Sequence, residues 1–172
     1  KVITQMDHPT FLKLIGYSPV DFKNNPNPTV ISELCLNNTL KDIFELERKN
    51  KKLRGWDDTR KLINLYGIAA GMAYLHRNDY LHRNLRLENI FLDDYLFPKI
   101  GNFGLLTRFL NPEMMSHQSM TGLKCTPIYS SPEVLQTKSY SKASDVYSFA
   151  FIVFQVVTGE IPFSNLSSSN QV

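Results

Sequence analysis

The chain is predicted to fold as an α+β protein in which a mostly helical lobe carries a few short strands, and three observations predict it. Two segments, from about Asp58 to Arg77 and from about Lys142 to Thr158, are apolar around much of their circumference, as helices inside a helical lobe are. Two runs rich in aromatic and branched residues, Phe11 to Tyr17 and Thr29 to Leu34, read as strands. Ile90-Phe91-Leu92 and Pro98-Lys99-Ile100, joined by a polar Asp93-Asp94 turn, read as a short hairpin.

Taken in order, the two first strands are separated by Ser18 to Pro28, whose prolines and asparagines are loop composition. Asn37-Asn38-Thr39 offers caps for a helix in which Leu40, Ile43, Phe44 and Leu46 follow helical spacing. The basic residues Arg48, Lys49, Lys51, Lys52 and Arg54 fall in the connector after it and read as a solvated face, with a docking patch as the alternative. Asp58 is the expected cap of the next helix. Its apolar residues form two stripes, one of Leu62, Ile63, Tyr66, Ala69, Ala70 and Ala73, the other of Leu65, Ile68, Met72 and Leu75. Ser141 caps the last helix and Gly159 suits its C-terminal end, while Ser164 to Asn170 reads as loop.

With 172 residues, 42% hydrophobic and 12% aromatic, the chain has enough apolar material for a real core. A net charge of +3 is too small to argue for nucleic acid or a membrane surface as partner. The longest apolar run, Phe149 to Val157, is interrupted by Gln155 and is too short to span a bilayer. Lys1-Val2-Ile3 has no signal-peptide character, and Cys35 and Cys125 match no metal or disulfide pattern. A reduced, cytoplasmic setting is the expectation.

The chemistry-bearing motifs lie around the hairpin. His82-Arg83-Asn84-Leu85-Arg86-Leu87-Glu88-Asn89 matches H-R-D-L-x-x-x-N except at the aspartate, and Asn102-Phe103-Gly104 matches D-F-G with the same exchange. Ser131-Pro132-Glu133 stands for A-P-E, and Ser144-Asp145-Val146-Tyr147-Ser148-Phe149-Ala150 is similar to D-V-W-S-F-G. Upstream, Asp7-His8-Pro9 and Ile31-Ser32-Glu33-Leu34 fit in order. With these motifs the chain resembles the protein kinase superfamily over nearly its whole length, and most closely its tyrosine-kinase-like Ser/Thr branch.

The resemblance implies a protein-kinase-like fold, with 1–36 as a remnant of the small lobe and hinge and 37–172 as the large lobe. No Gly-rich loop, V-A-I-K lysine or closing helices are found, so a domain truncated at both ends is expected. It implies ATP and magnesium as cofactors, with Glu33, Cys35 and Phe91 around adenine, Ser32 guarding the back pocket, and Asn89 and Asn102 at the metal positions. Asn84 stands at the base position, Arg86 where a lysine would contact the transferred phosphate, and Thr126 beside the base. Arg83 resembles the arginine that pairs with a phosphate on the activation segment, at Ser116, Ser119 or Thr121. His82 and Phe103 resemble members of the internal spine, and Asp145 the buried acid that holds the catalytic-loop backbone. Glu133 is expected unpaired, and Phe149, Phe151 and Phe154 are expected to be exposed apolar surface.

Asn84 accepts a hydrogen bond but cannot take a proton, and losing a positioned base costs about 10²–10⁴-fold. Asn102 offers one neutral oxygen to a cation that prefers carboxylates. A pseudokinase acting by contact with a protein partner is therefore expected. The alternatives are an active ATP-dependent protein Ser/Thr kinase, working by residual positioning alone or with Asp93 or Asp94 as substitutes, and a product without stable function.

Overall fold

The structure is a computed structural model and describes residues 7–102, 107–108 and 127–164. Phe103, Gly104, Ser116, Ser119, Thr121, Cys125, Thr126 and the 165–170 tail lie outside the described residues. Among the described residues four α-helices and six short strands are formed, the strands as three antiparallel pairs.

Strand β1 (Leu14–Ser18) pairs with β2 (Thr29–Ser32). The first strand is shorter than predicted because its leading residues are claimed by another partner. Leu12 N–H donates to Ile100 O at 2.8 Å and Ile100 N–H to Thr10 O at 2.6 Å, so Phe11 lies beside β5 (Pro98–Ile100) instead. Strand β5 pairs with β4 (Ile90–Leu92) in the predicted hairpin. Its turn is tied by Asp93, whose Oδ1 accepts from the N–H groups of Tyr95 and Phe97 at 2.9 Å each.

Helix α1 (Leu40–Arg48) begins at a reciprocal cap between Thr39 and Asp42 and buries Leu40, Ile43 and Phe44 at i, i+3 and i+4. Helix α2 (Asp58–Arg77) is capped one residue earlier than predicted, by Asp57, whose side chain accepts from Arg60 N–H at 2.8 Å. Of its two predicted stripes, the one with Ile68, Met72 and Leu75 faces the core, whereas Leu62 and Tyr66 are exposed. One helix has only one face to give to the hairpin, and the glycines choose which. A Cβ on Gly71 would overlap the Thr10 hydroxyl and lie 2.8 Å from Ile100 Cδ1, so its absence lets α2 pack closely on β5.

Strands β3 (Tyr80–Leu81) and β6 (Thr107–Arg108) form the third pair. A short helix, α3 (Pro132–Thr137), precedes α4 (Lys142–Thr158). Helix α4 starts at a Ser141–Ser144 capping box and stops at Gly159, which takes the left-handed φ of 72°. It buries polar groups beside Ile152 and Val156. Tyr129 donates to Gln155 Oε1 at 2.6 Å and accepts, through its carbonyl, from Ser148 Oγ at 2.7 Å. Burial pushes the Tyr129 hydroxyl up to about 12. The expectation of three exposed phenylalanines is corrected: Phe154 is exposed, but Phe149 and Phe151 pack partly buried against the core. Val146 and Val157 are exposed on that helix as well. No helix among the described residues is long and apolar enough to cross a membrane.

Candidate functional site

The site is assembled where the 82–89 loop, the end of β5 and the start of α4 meet. Asp145, 2% exposed, is the centre. Its Oδ2 accepts from His82 N–H at 2.9 Å and its Oδ1 from Arg83 N–H at 2.9 Å. His76, at the C-terminal end of α2, brings Nε2 to 2.9 Å from the same carboxylate. Three donors from two remote segments thus converge on one acid, which compensates its burial. The contacts also hold Arg83 in a left-handed backbone conformation, φ 64°, that an arginine rarely adopts alone.

His82 is fully buried, with Nε2 3.2 Å from Gly101 O and Nδ1 accepting from Asn84 N–H at 3.3 Å. One nitrogen donates and the other accepts, so the ring is the neutral Nε2–H tautomer. Burial lowers its pKa, outweighing the pull of Asp145. An unfolded chain would therefore bind a proton near pH 6.5 that the folded chain refuses, so stability rises with pH through that region and falls on acidification. The expected result is an unfolding free energy that declines below about pH 6.5 with a slope from this group of at most about 1.4 kcal/mol per pH unit. The same titration on His82→Phe should be flatter; an equal slope would remove the histidine from the account.

The two residues at the metal positions meet each other. Asn89, 5% exposed, donates from Nδ2 to Asn84 O at 2.6 Å, which turns its Oδ1 toward Asn102. Asn102 Nδ2 then donates to Asn89 Oδ1 at 3.0 Å. Asn102 has φ 58°, a conformation that asparagine tolerates better than most residues. Gly101 N–H closes the loop on Asn89 O at 2.8 Å. Among the described residues, no group of three His, Cys, Asp or Glu stands together as a metal cluster.

Arg86 is held by a neighbour that the sequence reading passed over. Its Nε and Nη2 each donate to Glu88 at 2.6 Å, a bidentate pair, and Lys41 lies 3.4 Å from the same carboxylate. Burial pushes Glu88 up, but the Arg86 hydrogen bonds outweigh it and hold the carboxyl below its ordinary value. The Arg83 guanidinium stacks 4.4 Å above the Tyr140 ring.

On the hinge side, Glu33 accepts from Lys13 N–H at 2.7 Å and lies 3.6 Å from Lys99. Cys35 is a half-buried free thiol, pushed up by burial and by Glu33. Phe91 is half-buried and its ring covers Gly101, where an added Cβ would fall 2.8 Å from the ring. Of the predicted site residues, the structure thus joins Asn84, Asn89 and Asn102 by direct hydrogen bonds, with Arg83 linked to them through Asp145 and His82. It places Arg86 beside that group on Glu88, and Glu33, Cys35 and Phe91 along the hinge and β4. Asp93 is occupied in its turn. Glu133 is exposed in the first turn of α3. His76, Glu88 and Tyr140 were missed; only Glu88, two residues from Arg86, had a local signal.

A helical lobe carrying a short hairpin, with a buried aspartate gripping an H-R-x loop, defines the class. The protein tyrosine and serine/threonine kinase family model matches residues 1–172, and the chain belongs to that family. It is similar to a probable serine/threonine-protein kinase of Dictyostelium discoideum, 33% identical over 97% of the chain and 10% of that protein. It is 32% identical to serine/threonine-protein kinase polo of Drosophila melanogaster over 92% of the chain and 25% of that protein. It is 36% identical to the L-type lectin-domain containing receptor kinase IX.2 of Arabidopsis thaliana over 99% of the chain and 24% of that protein. The chain thus spans a quarter or less of the length of these relatives.

Proposed function

We propose that this domain is a pseudokinase of the tyrosine-kinase-like branch that acts in signalling as a binding or scaffold module for a protein partner. The observation that carries the reading is the hydrogen bond from Asn102 Nδ2 to Asn89 Oδ1 at 3.0 Å. The oxygen that would face a metal is already satisfied by an amide N–H, and no carboxylate is present in the pair. Magnesium does not fit these residues as they stand, because a hard dication prefers charged oxygens over an amide that points its donor at the site. Asn84 adds a base position that cannot accept a proton. Arg86, bound to Glu88, is the residue we assign to anion contact only if that pair opens.

Adenine is a better fit than the metal. Among the described residues the main-chain groups of Cys35 have no hydrogen-bond partner, and Phe91 offers an apolar face nearby. On this reading 1–36 contributes small lobe and hinge, 37–172 the large lobe, and the setting is cytoplasmic. The second reading, an active protein Ser/Thr kinase, is favoured by the grip of Asp145 on the His82-Arg83 backbone and by the kinase names of the relatives.

The test is thermal unfolding with ATP, with and without magnesium. Ligand at a hundredfold over its dissociation constant should add about 2.7 kcal/mol. The proposal expects any stabilisation to be the same in magnesium and in chelator. It also expects phosphotransfer to appear only in the Asn84→Asp, Asn102→Asp double variant. A magnesium-dependent shift together with phosphotransfer by the unaltered chain would establish the second reading instead.

A further inference from the structure

Building on the assignment of Arg86 to anion contact, we propose that Glu88 is an internal anion that closes a phosphate-binding site at Arg86, and that the site opens when Glu88 passes to Lys41. Arg86 Nε and Nη2 donate to the two oxygens of Glu88 at 2.6 Å each. A guanidinium takes two oxygens of a phosphate in the same fork. The carboxylate and a phosphate therefore compete for one pair of N–H groups.

The backbone at this place is anchored, whereas the two side chains are not. Leu87 is 1% exposed, and the buried Asn89 is bonded to Asn84 and Asn102. The side chains of Arg86 and Glu88 keep 22% and 28% of their surface, so they can part by rotation alone. Lys41, in the first turn of α1, gives Glu88 somewhere to go. Its Nζ lies 3.4 Å from Glu88 Oε1, the oxygen that Arg86 Nη2 also uses, and 3.7 Å from Glu45 Oε1. Both distances are longer than a charge-assisted hydrogen bond, so Lys41 is committed to neither acid. When Arg86 turns to an outside anion, Glu88 settles on Lys41 and no charge is left uncompensated. The Tyr129 ring, pinned by its bond to Gln155 and 5.8 Å from the guanidinium, gives the arginine a fixed surface to rest on.

Charge chooses the ligand. A carboxylate tethered two residues away is present at high effective concentration, so a free carboxylate, which brings no more charge, does not displace it. A phosphate monoester carries about −1.5 to −2 at pH 7 and three strong acceptor oxygens, and it competes on both counts. A cation is disfavoured, because the one acid in the fork already faces two bases.

A proton–nitrogen NMR titration of the full chain with sodium phosphate and with a phosphoserine peptide, at fixed ionic strength, tests the site. It uses neither ATP nor magnesium, so its failure would leave the scaffold reading to its own experiment. Glu88→Gln should tighten phosphate binding by about tenfold, as expected for removing a charge beside a partly exposed site. Arg86→Gln in that background should abolish the gain. Lys41→Gln should weaken binding severalfold while Glu88 is present and change nothing in Glu88→Gln, because the lysine acts through the acid. Acetate should shift no resonance of the 82–89 loop in the unaltered chain. A folded Glu88→Gln that binds phosphate no more tightly would overturn the proposal. Equal losses from Lys41→Gln in both backgrounds would overturn it too, since the lysine would then touch the phosphate itself. Equal affinity for both ligands would support a site for free phosphate, and tighter binding of the peptide a site for a phosphorylated side chain.

Discussion

Asp145→Ala is expected to lower the unfolding free energy by about 3–5 kcal/mol, a large part of what a domain of this size commands. The acid is 2% exposed, and its loss leaves His82 N–H, Arg83 N–H and His76 Nε2 without their acceptor. Desolvated donors without acceptors are costly one by one, and here three go together. Arg83 would also lose the contacts that hold its left-handed backbone, so the loop should relax. Asp145→Asn keeps the shape but turns an N–H toward one of the donors, and a loss of intermediate size is expected. Urea unfolding followed by circular dichroism measures both. A loss under about 1 kcal/mol for Asp145→Ala would mean that the loop holds itself.

Asn102→Asp is expected to make the domain's stability depend on magnesium. The exchange is nearly isosteric, and aspartate tolerates the φ of 58° about as well as asparagine does. It replaces the donor facing Asn89 Oδ1 by an oxygen. In chelator the buried Asn89 loses its partner, and about 1–3 kcal/mol should be lost. Millimolar magnesium should recover most of it, because a carboxylate beside an amide oxygen is a ligand set that a hard dication accepts. The unaltered chain should melt at the same temperature in both buffers. Identical melts of Asn102→Asp in chelator and magnesium would show that the amide bond is incidental.

Much of the fold was legible because its signals are local. Ser141 and Gly159 mark α4 by cap chemistry, and the Ile90 to Ile100 hairpin declares itself by two apolar triplets around a polar turn. What was not legible depends on remote choices. The swing of Phe11 from β1 to Ile100 depends on a partner 89 residues away, and only one of the two stripes on α2 could meet the hairpin. In the site, the motif positions named Asn84, Asn89 and Asn102, but not that two of the amides would bond to each other. His76 reaches Asp145 across 69 residues, and nothing in its neighbourhood announces it.

The amide pair has a consequence for how the domain responds to its surroundings. Neither Asn89 nor Asn102 titrates, carries charge or needs a counterion, so their bond is blind to salt, to pH and to the free magnesium level. A carboxylate pair at the same place would repel when empty and close when loaded, which makes its geometry a gauge of cation supply. The amides hold one geometry under all of these conditions. The ionic state of the medium therefore reaches this part of the domain only through titrating neighbours such as His82, not through the amide bond itself.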